Sequence, residues 1–144
     1  MTISAKVSGV WESAVAYARV SGVWEPISAA WVKVSGTWEP VSSALSVSVS
    51  PSGVTKFGTG AAQSTSTVTA TVTGGIGPFT YSWTRASGST KISAISPSAA
   101  STAFQSSGLS PGESAVATFI VTVTDTATGN QVFDTVSVTI EWVI

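Results

Sequence analysis

The chain has 144 residues, six basic and seven acidic side chains and a formal charge of −1, with no run of either sign, so it lacks the basic footprint that a phosphate backbone demands and nucleic acid is excluded as a partner. His and Cys are both absent, which removes disulfides, the usual zinc sites and every His-dependent nucleophile triad. No apolar stretch reaches the ~18 residues of a membrane span, and Met1 to Lys6 lacks a charged leader followed by an apolar run, so neither membrane insertion nor a Sec-type signal peptide is expected.

Helix is disfavoured throughout, because β-branched residues alternate with small polar ones and Gly or Pro punctuates the chain. The chain opens on a phrase said three times: Val7-Ser8-Gly9-Val10-Trp11-Glu12, Val20-Ser21-Gly22-Val23-Trp24-Glu25 and Val34-Ser35-Gly36-Thr37-Trp38-Glu39, at spacings of 13 and 14 residues. A unit that short holds two brief strands and two turns, and offers no pre-formed cleft. Ser-Gly suits a two-residue hairpin connection, since Gly tolerates positive φ. Pro26 and Pro40 lack an N–H, so their strands should be edges or end there.

Four of the six tryptophans, Trp11, Trp24, Trp31 and Trp38, fall in this first region. That break in composition predicts an arm over residues 1–44 and a separate domain over 45–144. Burying four tryptophans returns far less than the entropy lost in ordering some 44 residues. The arm is therefore expected to share burial with the following domain, another copy or another protein; the alternative is that its strands are extra strands of one fold.

From Leu45 onward the strand schedule is fuller. Leu45, Val47 and Val49 alternate with serines before Pro51, and Val68, Ala70 and Val72 alternate with threonines, giving one hydroxylated face. Gly74 to Pro78 is a turn, and Phe79, Tyr81 and Trp83 then share one parity on the expected core strand. Shorter strands are expected near Lys91–Ala94 and Ser101–Phe104, parted by Pro97. After the turn at Leu109-Ser110-Pro111-Gly112-Glu113, residues Ala117, Phe119, Val121 and Val123 line one side of a long strand. Val132, Val136, Val138, Ile140 and Trp142 line the last. Seven or so strands at this spacing predict a two-sheet sandwich, with a small barrel as the alternative. Its expected core includes Val68, Val72, Tyr81, Trp83, Phe119, Val121, Val138 and Ile140.

Two resemblances extend the reading. The stretch from Thr67 to Ile140, with Gly74-Gly75-Ile76-Gly77-Pro78-Phe79-Thr80-Tyr81-Ser82-Trp83 and Val121-Thr122-Val123-Thr124-Asp125, resembles the immunoglobulin-like or PKD-like modules of tailed-bacteriophage structural proteins. The Val-Ser-Gly-Val-Trp-Glu units, with Ala30-Trp31-Val32-Lys33-Val34 between them, are similar to short tryptophan repeats of phage tail and fibre proteins. Ala14 departs from the pattern by standing where the other units have Pro26 and Pro40, and the module lacks the paired cysteines of antibody-type domains. The resemblance implies an all-β virion component, tail-associated or capsid-decorating, assembled in the host cytoplasm and released by lysis. It would have an anchoring β-hairpin arm and an immunoglobulin-like β-sandwich displayed as spacer or knob. Its partners would be other virion proteins and copies of itself.

Few residues invite chemistry. Asp125 and Asp134 flank the last hairpin and could approach, yet a solvent-exposed or turn-capping role is the better expectation for both, ahead of a weak cation site or catalysis. Asp125 to Asn130 lacks the ligand count of a calcium loop, and the Gly74–Gly77 turn lacks a following helix and lysine for phosphate. Glu12, Glu25 and Glu39 repeat in register and are expected to keep apolar strands soluble or guard their edges. No enzyme activity, cofactor or metal is expected. Trp11, Trp24, Trp31 and Trp38 are the assembly candidates; the alternative is a carbohydrate or host cell-surface binding module in which Trp11, Trp24 and Trp38 stack on a host-surface glycan.

Overall fold

Alternation of apolar with mostly hydroxylated residues, interrupted by Val116, Ile120 and Phe133 on the outward parity and by Asp125 and Asp134 on the inward one, builds the two longest strands, Ser114–Asp125 and Gln131–Trp142, which pair antiparallel across an eleven-step ladder from Ser114 opposite Glu141 to Thr124 opposite Gln131. The computed structural model describes residues 44–144 in full and, before them, the strand backbone of residues 3–7, 10–14, 17–20, 23–26, 30–34 and 37–41. Among the described residues every regular element is a strand. In chain order these are β1 (Ile3–Val7), β2 (Val10–Ala14), β3 (Tyr17–Val20), β4 (Val23–Pro26), β5 (Ala30–Val34), β6 (Thr37–Val41), β7 (Ser46–Ser50), β8 (Gly53–Gly58), β9 (Val68–Thr73), β10 (Phe79–Gly88), β11 (Ile92–Ala94), β12 (Ser101–Thr102), β13 (Phe104–Ser106), β14 (Ser114–Asp125) and β15 (Gln131–Trp142).

The first six strands form three separate antiparallel pairs, β1 with β2, β3 with β4 and β5 with β6. Their closing pairs are Val7 with Val10, Val20 with Val23 and Val34 with Thr37, so two residues separate the strands of each hairpin. Pro26 ends β4, and Pro40 lies in β6 of a two-stranded ladder, where a missing N–H interrupts no third strand.

Beyond them a four-stranded sheet runs β10-β14-β15-β8 and a three-stranded sheet runs β12-β9-β7, with β11 and β13 as a side pair. The two larger sheets share one apolar core, an arrangement consistent with a β-sandwich, and their ladders do not join into a closed barrel. Consecutive strands β7 and β8 belong to different sheets: β7 pairs antiparallel with β9, and after Pro51 and Ser52 the chain crosses to run parallel to β15. The switch is pinned where the Ser137 N–H donates to the Ser52 carbonyl at 3.0 Å.

Alternation decides which side chains are inside. Val49, Val68 and Ala70 come from one sheet and Trp83, Phe119, Val121, Val123, Val136, Val138 and Ile140 from the other, all buried. Phe104 is wholly buried, edge-on to Trp83 at 6.0 Å and tilted against Phe119 at 4.5 Å. The Trp83 indole N–H donates to the Ala99 carbonyl at 2.9 Å, which satisfies its one polar atom inside the core. Of the expected core, Val68, Trp83, Phe119, Val121, Val138 and Ile140 are buried, whereas Val72 and Tyr81 are partly buried and pack against its margin.

Strand β8 departs from the sequence expectation, which ran no strand through Gly53–Gly58. Only Val54 of that segment is buried, and pairing alongside an existing strand leaves no local signature in the sequence. The Ser101–Phe104 strand is divided, with Ser101–Thr102 pairing β9 and Phe104–Ser106 pairing β11.

Candidate functional surfaces

Each hairpin of the arm holds its tryptophan at the same ladder position. Trp11 pairs with Lys6, Trp24 with Arg19 and Trp38 with Lys33, each one step from the closing pair. The following glutamates pair with small or aliphatic residues: Glu12 with Ala5, Glu25 with Ala18 and Glu39 with Val32. Trp31 pairs with Pro40. The assembly role expected of Trp11, Trp24, Trp31 and Trp38, and the sugar stacking weighed for Trp11, Trp24 and Trp38, concern side chains that lie outside the described residues.

Asp125 is only 1 % exposed at the end of β14. Its carboxylate accepts the Ile76 N–H at 2.7 Å and the Ala127 N–H at 3.0 Å, tying the Gly74–Pro78 turn to the β14–β15 turn. The Thr126 N–H and hydroxyl both donate to the Pro78 carbonyl, at 3.0 and 2.8 Å, which doubles the tie. Gly75 makes the approach possible: its φ is +72°, and a Cβ there would lie 2.8 Å from Asp125 Oδ2 and 2.9 Å from Leu45 and Phe79. The Ile76 N–H, foremost among several backbone donors, holds the Asp125 carboxyl below the usual aspartate range against the opposing effect of desolvation. Asp125 thus caps turns, and it is buried where solvent exposure was one expectation.

Asp134 does not join it. The ladder places Asp134 opposite Val121, four residues along β14 from Asp125, or about 13 Å at ~3.3 Å per residue, beyond the span over which paired carboxylates cooperate in glycoside hydrolysis. Asp134 instead accepts the Val49 N–H of edge strand β7 at 2.7 Å and the Thr135 N–H at 2.8 Å. It caps one donor of an otherwise open edge.

Glu113 completes the third such arrangement. Its carboxylate takes the Lys91 ammonium at 2.6 and 2.7 Å and the Ser110 N–H at 2.8 Å, and the Lys91 hydrogen bond is the main cause that lowers its pKa. Each of these three carboxylates is therefore committed to the chain's own donors. Among the described residues no group of three acidic, His or Cys side chains could hold a metal ion.

Gln63, Thr65 and Ser106 carry no motif or spacing in the sequence that singles them out. All three are buried, and they stitch the 59–67 segment to β13: the Ser106 N–H donates to the Gln63 carbonyl at 2.8 Å and the Phe104 N–H to the Thr65 hydroxyl at 3.0 Å.

The outer faces carry mostly hydroxyls. On the three-stranded sheet Ser46, Ser48 and Ser50 stand opposite Thr73, Thr71 and Thr69, and Thr69 hydrogen-bonds Ser101 at 2.8 Å. On the four-stranded sheet Phe133 is 74 % exposed opposite Thr122, Val116 is exposed opposite Thr139, and Phe57 is exposed opposite Glu141. These apolar residues each pair with a polar one across the ladder and form no cross-strand apolar pair of the kind that builds a binding patch.

Comparison of the chain with protein-family models, with curated proteins and with solved structures finds no match in any of the three.

Proposed function

We propose that the chain is a non-enzymatic structural component of a phage particle, an accessory, decoration or tail-fibre-associated protein. Residues 1–44 anchor it and an immunoglobulin-like sandwich over residues 45–144 is displayed. The observation that carries the reading is the threefold return of one hairpin register, Trp opposite a cation and Glu beside it, ahead of a β module whose buried and turn carboxylates serve its own backbone. Repetition of a small unit without a cleft suits docking better than turnover.

The strand order supports the immunoglobulin-like part of the proposal. Taking β7, β9 and β12 as A, B and E and β10, β14 and β15 as C, F and G reproduces the A-B-E and C-F-G neighbours of that sandwich, with β8 added beside G. The absence of cysteines leaves its two sheets held by packing, centred on Trp83, Phe104 and Phe119.

The test is incorporation. A chain lacking residues 1–44 should keep the sandwich's circular dichroism and thermal transition while failing to co-purify with particles from a lysate. Normal incorporation of the truncated chain would sink the division of labour. A second reading, attachment to host-surface glycans, draws on the same tryptophan positions, since an aromatic face beside a cation suits an acidic sugar. Its check is quenching of tryptophan fluorescence by such a glycan, and no quenching across a panel would remove it.

A further inference from the structure

Three of the four strands that end the two larger sheets are blunted within the chain. On β7 the Val49 N–H is taken by Asp134 at 2.7 Å, on β10 the Trp83 N–H is taken by the Pro97 carbonyl at 2.8 Å, and β12 is only two residues long. Strand β8 is the fourth, and it is open. The Ser137 N–H donates to the Ser52 carbonyl and the Val143 N–H to the Gly58 carbonyl. In a parallel ladder that pattern turns the main-chain groups of Val54 and Lys56 toward β15 and those of Gly53, Thr55 and Phe57 away from it. All three outward residues are exposed, and among the described residues no strand pairs with their side of β8.

Two of them have no explanation inside their own chain. Phe57 is 59 % exposed. Gly53 has no positive φ, and a Cβ there would meet only the Ser137 carbonyl at 3.7 Å, an ordinary contact, so the fold does not require glycine at a position where it weakens a strand. The two lie on the same face as Thr55, two residues to either side of it.

We propose that β8 pairs antiparallel with β8 of a second copy about a twofold axis at Thr55, joining the two larger sheets edge to edge. In that register Thr55 stands opposite its own counterpart and Gly53 opposite the second copy's Phe57, so every outward N–H and C=O finds a partner. The exposed phenyl ring then lies over a residue with no side chain, the arrangement in which an aromatic shields a strand glycine. Charge and hydrogen bonding both select this register. Lys56, the one charge of β8, faces Val54 of the second copy. A shift of two residues in one direction would set the two Lys56 side chains against each other, and in the other would leave Phe57 overhanging; either shift leaves outward groups unpaired. The formal charge of −1 adds no long-range repulsion. The contact is isologous and closes at two copies. Strands of six residues cover less than the ~1,200 Å² of a standard interface, which puts the dissociation constant on the order of 100 µM. The proposal does not depend on residues 1–44 or on a particle.

The test uses the full-length protein, whose lack of cysteine lets a single thiol report the register. In the proposed pair the two Thr55 Cα atoms lie about 5.5 Å apart, within disulfide reach, whereas the two Lys56 Cα atoms sit diagonally at about 8 Å, beyond it. Under a mild oxidant Thr55→Cys should therefore form a linked dimer at least about tenfold faster than Lys56→Cys, on a non-reducing gel. In the unsubstituted protein, exchange of the Thr55 and Phe57 amides, read by NMR, should slow roughly fivefold between about 10 µM and 1 mM, by mass action at that affinity. The proposal is overturned if Thr55→Cys fails to link, or if Lys56→Cys links as fast, which is the mark of random collision or a shifted register. It is also overturned if the two amides exchange freely at every concentration. Protection that is the same at every concentration overturns it in favour of a strand of the same chain on that edge. Any of these failures leaves the proposed anchoring by residues 1–44 standing, because incorporation into particles is measured separately.

Discussion

Removing the Phe104 ring should be among the costliest single changes to the sandwich. The side chain is wholly buried and touches two other rings, Trp83 at 6.0 Å and Phe119 at 4.5 Å, one from each of two neighbouring strands of the larger sheet. Its backbone bonds to Thr65 do not depend on the ring. The expected loss in Phe104→Ala is therefore one of packing, about 3 to 5 kcal/mol, which already contains the two aromatic contacts. A domain near 100 residues has roughly 5 to 15 kcal/mol to lose, so the midpoint should fall by at least ~12 °C. Urea unfolding followed by far-ultraviolet circular dichroism measures the loss, with Phe133→Ala as the exposed control, expected within about 0.5 kcal/mol of the parent. A loss below ~1.5 kcal/mol for Phe104→Ala, or an equal loss for Phe133→Ala, would refute the assignment of the core.

Three further outcomes follow from the turns. Gly88 has a φ of +88°, and a Cβ there would lie 2.3 Å from the Val116 carbonyl, so Gly88→Ala should cost more than ~1 kcal/mol in the same unfolding assay, and a neutral result would contradict the close approach. Because Asp125 is held below its ordinary range when folded, its contribution is present above about pH 4 and is lost as pH falls through the folded value. The acid limb of a stability-against-pH curve should accordingly be shallower in Asp125→Asn than in the parent, and identical limbs would contradict the clamp on Ile76 and Ala127. Lys91→Met should move the Glu113 carboxyl titration, read by NMR, upward toward the ordinary glutamate range; no movement would mean that Ser110 alone sets it.

The long strands were legible because period-two alternation dominates Ser114–Asp125, where every second residue is buried, and the stretch from Val136 to Ile140 in Gln131–Trp142. The turn at Gly74–Pro78 was equally legible from its glycines. What the turn is fastened to was not, since Asp125 lies some 50 residues away and a buried carboxylate looks like any other Asp in a hydroxyl-rich stretch. Strand β8 was missed because Gly53-Val54-Thr55-Lys56-Phe57-Gly58 has one buried residue and no alternation to speak of. Gln63 and Thr65 were missed because their partners are distant in sequence, the Glu141 carbonyl accepting from the Gln63 amide and the Phe104 N–H donating to the Thr65 hydroxyl, long-range bonds that polarity alone hides. In the arm the opposite holds. The tryptophan repeat is plain in the sequence, but the sorting of Lys6, Arg19 and Lys33 from Glu12, Glu25 and Glu39 needs the register across each turn.

The proposed role stands or falls on whether the protein sits in a phage particle, and where. An electron cryo-microscopy map of particles purified from lysates of cells making this protein would give location, neighbours and copy number together. The account predicts a sandwich-sized density projecting from the particle, joined to it through residues 1–44 with the tryptophan-bearing hairpins against neighbouring chains. Particles without that density, with the protein recovered as a free monomer in the soluble fraction, would contradict it.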